Sequence, residues 1–207
     1  MTAASAHERV FCALDTTDLD SALALARAVR GAVGGLKLGL EFFSARGRDG
    51  VAAVAAEGLP IFLDLKLHDI PNTVAGAVRA LTPLAPAFMT IHAQGGPAMM
   101  RAARQAAEEA AASAGIPRPR LLAVTVLTSL DDADLNAMGV PGAAAEQVLR
   151  LAALAAGSGM DGVVCSSHEI AALRERLGPD FILMVPGIRP GGAAVGDQKR
   201  VMTPGEA

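Results

Sequence analysis

The chain is poor in several things at once, and each scarcity excludes a class of protein. Only two of its 207 residues are cysteine. Cys12 and Cys165 lie in apolar runs with no CxxC spacing, which excludes a disulfide framework and fits reduced core thiols of a cytosolic protein. No apolar run reaches the roughly 18–20 residues of a membrane span. Glu8 and Arg9 interrupt the N-terminus before a signal-peptide h-region can form. No GxGxxG follows the first strand-like run and no GxxxxGK[ST] occurs, so the dinucleotide and P-loop signatures are missing. Positive charge is not in surplus: 18 Lys and Arg face 21 Asp and Glu, for a net charge of −3. That balance argues against general nucleic-acid binding. It leaves room for a small anion in a local basic pocket. Metal-ligand spacing is missing too. His92 has no Cys, Glu or second His nearby, and His168–Glu169 lacks an HExxH completion.

What is present suits one compact domain over 1–207. Hydrophobic residues make up 52% and charged residues 19%, against disorder. A chain of this length buries roughly 70% of its unfolded surface and needs no staple. Near-continuous apolar runs, typical of strands covered on both faces, are predicted as strands at 9–15, 35–40, 61–67, 87–93, 121–127, 162–166 and 181–186. Alanine-rich segments with 3.6-residue periodicity alternate with them, at 18–30, 44–57, 71–81, 97–114, 143–156 and 167–177. Asp18 is a candidate N-cap, Gly31 a stop, and Pro71 and Pro97 first-turn residues. The repeated β–α unit specifies an α/β fold, either an open doubly wound sheet or a (β/α)8 TIM-type barrel. Chemistry-bearing residues gather at C-terminal strand ends, which a barrel brings to one mouth. Seven units are visible, and the expectation is a barrel whose eighth unit is missing from the chain.

Lysine is the most telling scarcity. Of the 18 basic residues only Lys37, Lys66 and Lys199 are lysine, and the first two sit in strand-like runs where an unpaired charge is costly. In Phe62–Thr73, FLDLKLHDIPNT, residues two apart share a strand face, so Asp64 and Lys66 point together. Asp69 follows three residues on, giving D-x-K-x-x-D, and Lys37 on the preceding strand can lie beside it. Two opposite charges at 4 Å attract by about 4 kcal/mol at an effective dielectric near 20. Buried ion clusters add little net stability, so a fold has weak reason to build one without a task. His68, out of phase with Asp64 and Lys66, reads as structural.

These segments, with ALD at 13–15, LKLGLE at 36–41, TVLTS at 125–129, VPGIRP at 185–190 and GDQKRVMTP at 196–204, resemble the orotidine 5′-phosphate decarboxylase family in its bacterial short form. The resemblance runs over essentially the entire chain, and the DIPNT extension makes it specific. It implies removal of CO2 from C6 of the orotate ring, in pyrimidine nucleotide biosynthesis, without metal or cofactor. It implies catalytic roles for Lys37, Asp64, Lys66 and Asp69, with Lys66 stabilising and protonating the C6 carbanion while Asp64 and Asp69 hold it. Lys37 is expected to link Asp64 to the ribose, and Asp15 to bond the ribose hydroxyls. Thr128 is expected at the base, and Arg189 and Gln198 at the phosphate, with the glycine-rich 191–198 as a closing loop. Arg189 follows a strand and a Pro–Gly turn, and a guanidinium suits bidentate phosphate contact. The family shares each site between two identical subunits, so Asp69 and Thr73 are expected to reach the partner's pocket of a cytoplasmic homodimer.

Two rivals stand beside this reading. One is a metal-dependent enzyme of the same superfamily acting on a keto-sugar phosphate, since bare D-x-K-x-x-D occurs there too. The other is a truncated, non-catalytic barrel that binds a nucleotide or a partner. HAQGGP at 92–97 departs from the family pattern at Gln94 and Pro97. The family's Gly–Arg phosphate grip on an eighth strand has no counterpart in the chain.

Overall fold

Strands and helices alternate because the apolar runs and the amphipathic segments alternate. The computed structural model describes residues 5–188, together with Thr203 and Gly205. Strands β1 (Phe11–Ala13), β2 (Gly35–Gly39), β3 (Ile61–Leu67), β4 (Phe88–His92), β5 (Arg120–Val124), β6 (Gly162–Val164) and β7 (Ile182–Met184) form one parallel sheet in sequence order. Helices α1 (Leu19–Ala28), α2 (Leu40–Ala55), α3 (Pro71–Leu81), α4 (Gly96–Ala114), α5 (Asp132–Ala137), α6 (Ala144–Gly157) and α7 (Ile170–Leu177) fill the connections. The Asp18 carboxylate accepts the Ser21 amide at 2.8 Å and caps α1, and Gly31 lies past its end at φ +81°. Pro71 and Pro97 occupy the first turns of α3 and α4, where a missing N–H is no loss.

Two elements differ from expectation. Helix α2 begins at Leu40 rather than Ser44, and is broken at Gly47, whose φ of +58° no helix carries. Helix α5 is new: six residues are too few for periodicity to show, and a reciprocal Asp131–Asp134 capping box holds its first turn.

The sheet is curled, and three phenylalanines establish it. Strands β1 and β4 are three places apart, so their side chains would stand roughly 14 Å apart on a flat sheet. Yet the Phe11 and Phe88 rings meet edge to face at 5.5 Å, and Phe62 joins both at 6.0 and 6.2 Å. The Arg120 guanidinium lies 5.7 Å from the Phe88 centroid. This plug closes the concave side near the N-terminal strand ends. On β3 the concave row continues from Phe62 to Asp64 and Lys66, while Ile61, Leu63 and Leu65 are buried on the convex side in the core shared with the helices. The architecture is that of a TIM-type barrel wall of seven strands. An eighth strand is not among the described residues.

Candidate active site

The site stands at the C-terminal strand ends, and β3 supplies its centre. Lys66 Nζ donates to Asp64 Oδ2 at 2.7 Å. The Asp64 side chain is 12% exposed and the Lys66 side chain 37%, so the pair opens toward the mouth from a buried base. One strand over, Lys37 Nζ donates to Asp15 Oδ1 at 3.2 Å, with Asp15 largely exposed just past β1. Of the four charges expected to form one network, Asp64 and Lys66 therefore pair with each other within one subunit, and Lys37 pairs outside the set. Lys37 bridges to Asp15, with no ion pair to Asp64 among the described residues.

Asp69 stands apart from both. Its Oδ1 accepts the Ile70 amide at 2.6 Å, and its side chain forms no ion pair with Lys66. Asp69, Ile70 and Thr73 are all exposed, at the entrance to α3. Together with His68, Pro71, Gln94 and Gly95, Asp69 and Ile70 border an open hollow of about 580 Å³. Thr128 lies past β5, buried at 7% exposure. Arg189, Gln198 and the whole of the 191–198 segment lie outside the described residues.

Three features of the site escape sequence reasoning. The first is backbone conformation. Lys66 has φ +51°, in the left-handed region, and the β3–β4 register slips between Leu63 and Leu67. An L-residue there carries a cost of about 1–3 kcal/mol, and such residues cluster at functional sites. The kink also ends the two-residue alternation, so side-chain directions beyond Lys66 do not follow from counting. The second is Thr90, fully buried on β4, whose hydroxyl donates to Asp64 Oδ1 at 2.9 Å and accepts the Lys66 amide at 2.9 Å. The third is a histidine pair. His68 and His92 stack with centroids 5.1 Å apart. Burial, then the nearby His68 and Lys66, push the His92 pKa down to about 4, and its buried Nδ1 has no hydrogen-bond partner among the described residues. His92 is thus a neutral ring beside the Lys66 ammonium at ordinary pH.

Among the described residues no group of three or more His, Cys, Asp or Glu side chains is placed to hold a metal ion, and no helix is long and apolar enough to cross a membrane. What the arrangement offers is a fixed ammonium on a carboxylate at the mouth of a curled sheet, with a second ammonium–carboxylate pair beside it. Such a site can stabilise an anion that develops next to Lys66.

Comparison with known proteins agrees. A model of the family described as "Orotidine 5'-phosphate decarboxylase / HUMPS family" matches residues 8–207. Orotidine 5'-phosphate decarboxylase of Rhodospirillum rubrum is 57% identical over 199 residues, 96% of this chain and 81% of the relative. The protein of that name from Novosphingobium aromaticivorans is 56% identical over 195 residues, 94% of this chain and 83% of the relative. Among solved structures, orotidine 5'-phosphate decarboxylase from Lactobacillus acidophilus superposes with a TM-score of 0.76 at 41% identity, over 87% of this chain and 81% of that one. On sequence and fold alike, this chain belongs to the orotidine 5'-phosphate decarboxylase / HUMPS family of enzymes.

Proposed function

We propose that this chain decarboxylates orotidine 5′-phosphate to uridine 5′-phosphate, a step of pyrimidine nucleotide biosynthesis in the cytoplasm, with its own side chains and no cofactor. The observation that carries this is the Asp64–Lys66 pair, held at 2.7 Å on a strained strand end. The C6–carboxylate bond breaks, CO2 departs, and the electron pair stays on C6, where the ring offers no sink. The Lys66 ammonium faces that charge as it forms and then gives its proton to C6. Because the ammonium is already placed, little reorganisation is needed in the transition state. Asp64 orients Lys66 from below.

Lys37 and Asp15, paired at 3.2 Å, offer a donor and an acceptor to the ribose hydroxyls. Thr128 serves the base, and Arg189 and Gln198 serve the phosphate. Asp69 and Thr73 act in the site of a second identical subunit. Supporting that sharing, Asp69 binds only its neighbouring amide among the described residues, and Ile70 beside it is 66% exposed despite being apolar. In the shared site the partner's carboxylate completes the array around Lys66.

The test is loss of orotidine 5′-phosphate absorbance with and without EDTA. Turnover unaffected by EDTA is expected, and turnover that needs added Mg2+ would point to the metal-dependent branch of the superfamily. Lys66→Ala should abolish turnover while product binding largely survives, because its contact matters in the transition state. Inactive Lys66→Ala and Asp69→Ala proteins, mixed under subunit exchange, should recover part of the activity. Exchange without recovery removes the shared site.

A further inference from the structure

We propose that Thr90 is a positioning residue for this reaction: its hydroxyl latches the kinked end of β3, so that Lys66 and Asp64 are held as one unit. The proposal rests on Lys66 being the group that faces the developing charge.

A hydroxyl has one proton to give and lone pairs to accept with. Thr90 gives its proton to Asp64 Oδ1 at 2.9 Å, so toward the Lys66 amide, also 2.9 Å away, it is the acceptor. The other oxygen of the same carboxylate, Oδ2, accepts the Lys66 ammonium at 2.7 Å. Both ends of Lys66 are therefore tied to Asp64: the ammonium directly, and the backbone through Thr90. The three groups form a closed ring across two strands.

The fold has a physical need for this ring. The pairing runs Leu63↔Met89 and then Leu67↔Ile91, so three β3 residues face the single position of Thr90. An ordinary parallel ladder cannot bond all three. The Lys66 amide, turned by a left-handed φ of +51°, takes a side-chain oxygen where a strand would supply a carbonyl. Thr90 is wholly buried, so no solvent replaces that oxygen. Threonine is also stiff at χ1, which gives the hydroxyl one place to be. Valine fills the same volume without either bond. Serine keeps the hydroxyl but frees its rotation.

Thr90→Val should therefore misplace the ammonium without emptying the pocket. A misplacement near 1 Å can cost about a hundredfold in rate. The expected result is a kcat for Thr90→Val lowered by about that factor, with KM and the dissociation constant of uridine 5′-phosphate changed by less than about threefold. Thr90→Ser should restore most of the lost kcat. A Thr90→Val kcat within about threefold of wild type would overturn the proposal, as would a loss that serine does not restore or a loss confined to KM. If Thr90→Val does not fold, amide hydrogen exchange in the wild-type protein decides. The Lys66 amide should be protected, and exchange at the rate of a free amide overturns the latch. The functional reading fails separately, by wild-type protein that leaves orotidine 5′-phosphate intact, and the exchange measurement still judges the latch in that case.

Discussion

Replacing Lys66 by glycine should leave a more stable protein than replacing it by alanine, the reverse of the usual order in a strand. Both variants lose the ammonium, so both leave Asp64 Oδ2 without the 2.7 Å bond, and that loss cancels in the comparison. What remains is the backbone. Lys66 stands at φ +51°. An L-residue in the left-handed region carries about 1–2 kcal/mol of steric cost, whereas glycine enters it freely. Against this, glycine forfeits roughly 0.5–1 kcal/mol to alanine in the entropy of the unfolded chain. Taken at the middle of both ranges, the difference favours Lys66→Gly by roughly 0.5–1 kcal/mol. At about 2–4 °C per kcal/mol for a chain of this size, its melting temperature should lie about 1–4 °C above that of Lys66→Ala. Paired urea titrations with a shared m-value measure the same quantity as ΔG. Lys66→Ala equal to or more stable than Lys66→Gly would refute the strain and, with it, the idea that stability is given up here to aim the ammonium. Neither variant should turn over substrate.

Two other predictions concern the surroundings of that strand. His92, whose pKa is pushed to about 4 against an ordinary 6.5, should show an NMR titration midpoint near 4, and a midpoint at or above 6 would contradict its burial. The folded state resists the proton that the unfolded chain accepts, so the contribution is fully present above pH 6.5 and is lost as pH falls toward 4. Partial exposure and solvent screening reduce this to roughly 1–2 kcal/mol, visible as acid destabilisation that His92→Gln should lessen. On β6, a Cβ at Gly162 would lie 2.2 Å from the Ile182 carbonyl oxygen, so Gly162→Ala must push β7 away. A loss of about 1–3 kcal/mol in thermal unfolding is expected, and an unchanged melting temperature would show that β7 yields freely.

The strand and helix order was legible in the residues because it follows from local chemistry. Continuous apolar runs, 3.6-residue periodicity, Asp18 as a cap and Pro71 at a first turn all act over a few residues, and the structure repeats them. The D-x-K pair was legible for the same reason: residues two apart on a strand share a face, and Asp64 and Lys66 do meet. The bent helix α2 and the short α5 were not, since a glycine break and a one-turn helix leave no period to detect.

Everything that depends on two strands at once was decided by the tertiary structure. Thr90 lies 24 residues from Lys66 and 26 from Asp64, and no spacing rule connects them until β3 and β4 pair. The same pairing slips by the residues that throw Lys66 into the left-handed region. Curling of the sheet brings Phe11 to Phe88 and sets all the strand ends around one mouth. Even the break-up of the expected four-charge network is a matter of reach, with Lys37 nearer Asp15 than Asp64 and Asp69 apart from both. The sequence by itself determined which charged groups come together near the end of β3, because residue type and local period are written in it. Their geometry came from register and curvature, which arise only when distant strands compete for the same hydrogen bonds.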